Sequence, residues 1–364
     1  MNDPANKATE DLIKEMEKKI TAEYAQAVKE SKETYDDYMK RFATKDKIKR
    51  EAYEAGVISQ KDYLEWRKSQ LFVGDQFNKM AEIIAEEYVN ASKTAMDIAN
   101  DFRPTIYAEN HNFATYVIEQ TADVDLSYTL YNKETVQRLW GKSPKLLPDM
   151  NPRGETAQQI AEGKLLRWNT QKVTSALSQG ILQGESIPNI AKRISSVAQM
   201  DHNASIRNAR TMATGAQNAG RMDAARRAKE KGVDSVNVWA ATLDMRTRHE
   251  HRILDGQRRE IDEPFEVDGE KIRFPGDPEA RPWLVYNCRC TLIPQVKGFE
   301  YDIHDDSNLD LSHIEGMSYD QWKKSKIEKP NKITLPEEKA AAIKGSYINE
   351  YKKLAKATKK KRGK

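Results

Sequence analysis

The sequence predicts a mostly α-helical protein with a small α+β module towards its C-terminal end. The N-terminal region is elongated and helical, and short strands and a hairpin are confined to residues 233–297. Three observations predict this. Apolar residues recur at spacings of three and four through long charged stretches. At residue 233 the pattern changes to short alternating runs punctuated by Asp-Gly and Pro-Gly. Charged residues make up 32% of the 364 and hydrophobic residues 38%, with a mean hydropathy of −0.82. That balance suits long solvated helices better than one compact globule.

Residues 1–104 read as a helical hairpin or rod. Leu12, Met16, Ile20, Tyr24 and Val28 recur every four residues as one stripe. "SQKD" at 59–62 has the form of a capping box, with Ser59 as cap and Asp62 reaching back. A second rod carries Phe77, Met80, Ile84, Tyr88, Ala91, Ala95 and Ile98, and Pro104 is expected to end it. Either the two stripes pack together or one of them is an assembly surface.

Residues 105–154 are expected to be an irregular linker, because Pro144, Pro148 and Pro152 recur every four residues. Helical pattern resumes over 155–232. Gly184 can end one helix there, and Ser186 with Pro188 can start the next. "HNASIRNARTMATGAQNAGRMDAARRAKEKG" reads as a third helix, closed by Gly232, whose small side chains allow a close approach to a neighbour.

In the module at 233–297, "DSVNVWAAT" alternates like a strand with Val236 and Val238 on one side. "FEVDGEKIRF" is a hairpin turning at Asp268-Gly269, "PGDP" is a turn, and "WLVYNCRCTLI" reads as another strand. Residues 298–364 form a polar C-terminal segment in which "MSYDQWKKSK" is a short capped helix.

Several function classes are disfavoured. No run of about 18 apolar residues occurs, so no membrane-spanning helix is expected. "MNDPANKATEDL" has no basic and then apolar stretch, so no secretory leader is expected. A net charge of +4 is too small to make the whole molecule a nucleic-acid binder. The last fifteen residues are different: Lys352, Lys353, Lys356, Lys359, Lys360, Lys361, Arg362 and Lys364 stand against one glutamate. Such a tail either attracts phosphate, with an affinity that falls steeply in salt, or serves only to solubilise the chain.

The two cysteines, Cys288 and Cys290, stand one residue apart in "NCRC". They can pair only with each other, and so short a loop strains disulfide geometry, so a reduced, cytosolic setting fits better. On a strand they share one face, and Arg289 and Thr291 take the other. Upstream, "LDMRTRHEHRILDG" supplies His249 and His251. In a helix these lie about 200° apart, so one of them, His251, is the candidate ligand. Cys288, Cys290, His251 and Asp244 together would offer zinc four ligands of acceptable type, although the spacing is not that of paired C-x-x-C fingers. Two packed thiols are the alternative. A thiol nucleophile with His251 as base would lack an oxyanion signature, and no phosphate-cradling glycine loop is present. No residue is assigned a catalytic role.

In order along the chain, Trp239, Asp244, Arg246, Thr247, Arg248, His251, Leu254, Asp255 and Gly256 are followed by "FPGDP" and by Asn287, Cys288 and Cys290. With the preceding "GILQGESIPNIAKRI" and "ARTMATGAQNAGRMDAAR", this resembles the Mu F-like head morphogenesis family of phage minor head proteins over about residues 155–297. The resemblance implies a minor structural protein of a tailed-phage head at the portal vertex, needed for procapsid assembly or for DNA packaging and delivery. Implied partners are the portal protein, scaffold, major capsid protein and phage DNA, with no membrane. The implied location is the procapsid interior, reached from the host cytoplasm, and the implied role is not that of an enzyme. Trp239, Asp244, Arg246, Arg248, His251, Asp255, Gly256, Asn287, Cys288 and Cys290 carry over as signature positions. Relatives often read Thr-Glu where this chain has Thr211-Met212, which weakens an enzymatic reading. Two alternatives remain: a metal-dependent nuclease or toxin-like effector carried in the virion, and a DNA-binding accessory protein acting through the tail.

Overall fold

The computed structural model describes residues 3–71, 76–140, 157–183, 185–299, 303 and 317–328. Its architecture is the mostly α one, with a small α+β module, that the sequence predicts.

Helix α1 spans Pro4–Glu54 and, at 1.5 Å per residue, is about 76 Å long. Asp3 caps it: the carboxylate accepts from the backbone N–H of Ala5 (2.9 Å) and Asn6 (3.0 Å). Met16, Ile20 and Tyr24 of the expected stripe are buried, and Leu12 and Val28 pack against them. Helix α2 (Gln60–Leu71) starts at the expected box, where the Ser59 hydroxyl accepts from the Asp62 N–H at 3.1 Å and Asp62 accepts from the Ser59 N–H at 3.2 Å.

Helix α3 (Gln76–Ala122) corrects one expectation, since Pro104 lies inside it and does not end it. Proline in a helix interior costs about 3 kcal/mol. From Phe102 to Glu119 every residue except Thr105 and Glu109 is buried, Ile106, Phe113 and Ile118 among them. At about 1.5–3 kcal/mol for each large apolar side chain, that burial outweighs the proline. The expected irregular region at 105–154 is therefore helical through Ala122 and again in α4 (Lys133–Trp140). Pro144, Pro148, Pro152 and Gly184 lie outside the described residues.

Helices α5 (Ala157–Leu182) and α6 (Ile187–Glu230) complete the helical part. Ser186 begins α6 through its backbone, and its hydroxyl makes no cap bond. Between Pro188 and Gly215 no glycine or proline interrupts α6, so the expected second and third helices are one continuous rod. Side-chain pairs give the directions. Asn110 with Thr9, Ser92 with Tyr24 and Glu87 with Ser31 set α3 antiparallel to α1. His202 with Thr21, Ser205 with Tyr24 and Gln217 with Asn6 set α6 antiparallel to α1 as well. One apolar core runs through α1, α3, α4, α5 and α6, so residues 1–104 and 155–232 pack as one bundle and not as separate regions.

The module sits on α6. Strand β1 (Ser235–Ala240) is central in an antiparallel sheet of order β2-β1-β5, flanked by β2 (Arg258–Glu260) and β5 (Thr291–Val296). Strands β3 (Phe265–Val267) and β4 (Glu270–Ile272) form the expected hairpin. Its turn residues Asp268 (φ 51°) and Gly269 (φ 75°) both adopt the left-handed conformation that a tight two-residue hairpin requires. Two short helices, α7 (His249–Leu254) and α8 (Pro282–Val285), lie between strands. A last helix, α9 (Tyr319–Glu328), returns to α3, where the Trp322 Nε1 donates to Glu119 at 2.7 Å.

Two glycines of α6 permit its close contacts. A Cβ on Gly220 would stand 2.5 Å from the Tyr107 carbonyl oxygen of α3, and one on Gly215 would stand 2.7 Å from the Gly276 carbonyl of the module. The small residues of this helix thus serve close packing on two sides, as the composition suggests.

Candidate functional site

The segment from Trp283 to Ile293 is not one strand. Pro282 opens the helical turn α8, Asn287 (φ 57°) bends the chain, and β5 begins only at Thr291. Cys288 and Cys290 therefore lie in the connection before β5, and their shared orientation comes from that bend and not from strand alternation. Both are buried, as is His251 on α7, whereas His249 is exposed. The helical geometry of α7 makes this division, as the 100° step predicts.

Ligand atoms of His251, Cys288 and Cys290 all lie within 4.8 Å of one another. The His251 Nδ1 is 3.2 Å from the Cys290 sulfur and 3.7 Å from that of Cys288. On the other side of the ring, Nε2 is 2.9 Å from the Leu284 carbonyl oxygen. A carbonyl only accepts, so Nε2 carries the proton and the Nδ1 lone pair faces the sulfurs. Trp239 stands edge-on to the imidazole with ring centres 5.8 Å apart. The two thiols differ. The hydrogen bond with Cys288 holds the Cys290 thiol well below its ordinary pKa, whereas burial pushes the Cys288 thiol well up.

The expected fourth ligand is not with them. The Asp244 carboxylate accepts two bonds from Arg289 at 2.6 and 2.7 Å, and this guanidinium holds its carboxyl well below the usual range. Among the described residues, the metal-capable group is His251, Cys288 and Cys290 alone. Asp244 instead shapes the loop in front of α7, accepting from the Arg246 N–H at 2.8 Å.

The remaining signature residues hold the frame. Arg248 donates to the Trp283 carbonyl at 2.7 Å and to the Tyr286 carbonyl, tying α7 to α8. Asp255 accepts from the Ala241 N–H at 2.8 Å, and Gly256 (φ 71°) donates its N–H to the Trp239 carbonyl at 2.8 Å. Arg246 is exposed, with its Nε 3.9 Å from the Asp244 carboxylate. Asn287 donates its N–H to the Thr211 hydroxyl at 3.3 Å, and Met212 beside it is buried in the bundle core. The basic residues Lys352, Lys353, Lys356, Lys359, Lys360, Lys361, Arg362 and Lys364 lie outside the described residues.

Sequence reasoning missed Asn218. Fully buried on α6, it donates to the carbonyls of Pro275 (3.0 Å) and Cys290 (3.2 Å) and accepts from the Leu292 N–H at 2.7 Å. Thr214 adds a bond to the Cys288 carbonyl at 3.0 Å. The available signal was Thr211, Thr214 and Asn218, spaced by three and four on a helix of otherwise small residues.

Residues 171–293 match the family model described as Phage Mu protein F like protein. The chain is 25% identical to the minor head protein GP7 of Bacillus phage SPP1 over 324 residues, covering 88% of this chain and 96% of that one. It is 28% identical over 215 residues to a protein of Enterococcus faecalis named NAD(+)–arginine ADP-ribosyltransferase EFV, covering 58% of this chain and 41% of that one. A Haemophilus influenzae protein with no assigned function is 28% identical over 223 residues, covering 43% of its length. The chain thus spans about two fifths of the length of these last two relatives. No solved structure matches it.

Proposed function

We propose that this chain, a Mu F-like phage minor head protein, acts at the portal vertex during procapsid assembly and DNA packaging or delivery. The observation that carries this reading is the extent of the likeness to GP7, which takes in the helical bundle and the module together and covers nearly all of that protein. In this reading the bundle docks on the portal protein, with scaffold and major capsid protein nearby, and the lysine-rich tail contacts phage DNA. A helix of about 76 Å is long enough to bridge neighbouring subunits of a large assembly. No helix among the described residues is long and apolar enough to cross a membrane.

A second reading, an enzyme delivered with the DNA, draws on the likeness to the Enterococcus faecalis protein. Support for it is narrower, since 41% of that protein is matched. Co-expression with the portal, scaffold and major capsid proteins of its own phage, followed by gradient separation and mass spectrometry, tests the first reading. Substoichiometric co-sedimentation that requires the portal is the expected result. Free protein at the top of the gradient would sink it.

A further inference from the structure

We propose that His251 Nδ1, Cys288 Sγ and Cys290 Sγ bind one zinc ion, with the fourth position left to a water or an incoming group in the adjoining cleft. This inference concerns the module's chemistry and does not depend on a head role.

Four observations converge on it. The three ligand atoms lie within 4.8 Å of one another and belong to buried side chains, so little further rearrangement is needed to bring them round one ion. Thiolate and imidazole are the donors that zinc prefers, and a Cys₂His set leaving one position open is a known arrangement for it. The imidazole is already oriented: the Leu284 carbonyl takes the Nε2 proton at 2.9 Å, which leaves the Nδ1 lone pair aimed at both sulfurs. Fixing a histidine ligand by a backbone acceptor on its other nitrogen is how protein zinc sites set tautomer and ring direction. Finally, the loop carrying the sulfurs is anchored from outside the site. Asn218 and Thr214 of α6 hold the carbonyls of Cys290 and Cys288, and Arg248 holds α8.

The open position follows from the surroundings. Asp244, the carboxylate expected as fourth ligand, accepts from both terminal guanidinium nitrogens of Arg289. Beside His251 and Cys290 lies a small cleft lined by Thr242, Thr247, Asn287 and the arginines 246, 248 and 289. Two thiolates, one neutral imidazole and Zn²⁺ sum to zero charge; with Arg289 paired to Asp244, the Arg248 guanidinium, whose bonds go to the neutral carbonyls of Trp283 and Tyr286, favours a hydroxide or an anionic group as the fourth ligand. On binding, any proton still on either sulfur is lost to solvent and no electron is transferred.

The test uses the full-length chain, expressed with added zinc and dialysed against metal-free buffer. Metal analysis is expected to find about one zinc per chain. Replacing zinc with Co²⁺ is expected to produce the thiolate-to-cobalt charge-transfer bands and the visible bands of a tetrahedral site. Cys288→Ser, Cys290→Ser and His251→Ala are each expected to remove the metal and the bands, with circular dichroism reporting whether the bundle still folds. Asp244→Asn is expected to leave stoichiometry and spectrum unchanged. Zinc far below one per chain with no cobalt bands in the folded wild type would overturn the proposal. So would full retention of the metal in Cys288→Ser and Cys290→Ser. A spectrum altered by Asp244→Asn would replace the open position with a carboxylate ligand.

Discussion

Asp3 and Arg221, 218 positions apart, form an ion pair at which neither side chain has appreciable contact with solvent. Asp3 is also the cap of α1, and the Arg221 Nε donates to the Asn110 side-chain oxygen of α3 at 2.9 Å. One buried cluster therefore joins the start of α1 to the C-terminal parts of α3 and α6.

Removing one partner of such a pair leaves a buried charge unmatched. Asp3→Ala should cost about 3–5 kcal/mol, from the orphaned guanidinium and the lost cap together. Urea unfolding followed by circular dichroism checks it, and a cost under 1 kcal/mol would mean that water reaches Arg221.

Gly215 and Gly220 should not accept a side chain. Gly215→Ala would force α6 away from Gly276, and Gly220→Ala would force it away from the Tyr107 carbonyl, each costing about 1–3 kcal/mol. Because Gly215 touches the module, its variant should also loosen the cysteine loop. Faster hydrogen exchange at residues 287–292 in Gly215→Ala, but not in Gly220→Ala, is the expected outcome.

Two buried groups should give the bundle opposing pH responses. Burial pushes the Asp201 carboxyl up to about 6, against the bond from Asn169 at 2.7 Å. Between pH 4 and 6 the folded state then holds a proton that the unfolded state has lost, so this group's contribution to stability falls as pH rises. Asp201→Asn should therefore stabilise the protein at pH 7 by about 2 kcal/mol and flatten that slope.

His111 works the other way. Burial pulls it down to about 4, with Asp223 at 3.5 Å opposing the shift. Below pH 6.5 the unfolded chain takes up a proton that the folded one refuses, so stability is lost as pH falls from 6.5 towards 4. His111→Phe keeps the stacking on Tyr131 (ring centres 3.9 Å apart) and should gain about 2 kcal/mol at pH 5. Denaturation midpoints from pH 4.5 to 7.5 for the two variants and the wild type separate the effects.

The loop before α7 depends on Asp244. Asp244→Ala removes the Arg289 pair and the bond from the Arg246 N–H, so tryptic cleavage after Arg246 and Arg248 should quicken several-fold. An unchanged cleavage pattern would show that Thr247, which donates its hydroxyl to the Thr242 carbonyl, holds the loop alone.

What the sequence determined by itself is local. The stripes through Met16, Ile20 and Tyr24 and through Met80, Ile84 and Tyr88 are legible because a helix repeats its faces every 3.6 residues. The Ser59 box and the Asp268-Gly269 turn are legible because their chemistry is complete within four residues. The same helical step shows that His249 and His251 cannot both face one ion, and the tertiary structure buries His251. Tertiary structure decided what depends on partners distant in sequence. Pro104 continues a helix because burial on several sides outweighs its cost. Residues 1–104 and 155–232 share one core because their stripes meet across α1, α3 and α6. The sulfurs converge on His251 because Asn287 bends the chain and Asn218 holds it there, while Arg289 draws Asp244 away. Periodicity and turn residues act over a few positions, whereas burial and charge pairing are set by whichever segments the fold brings together.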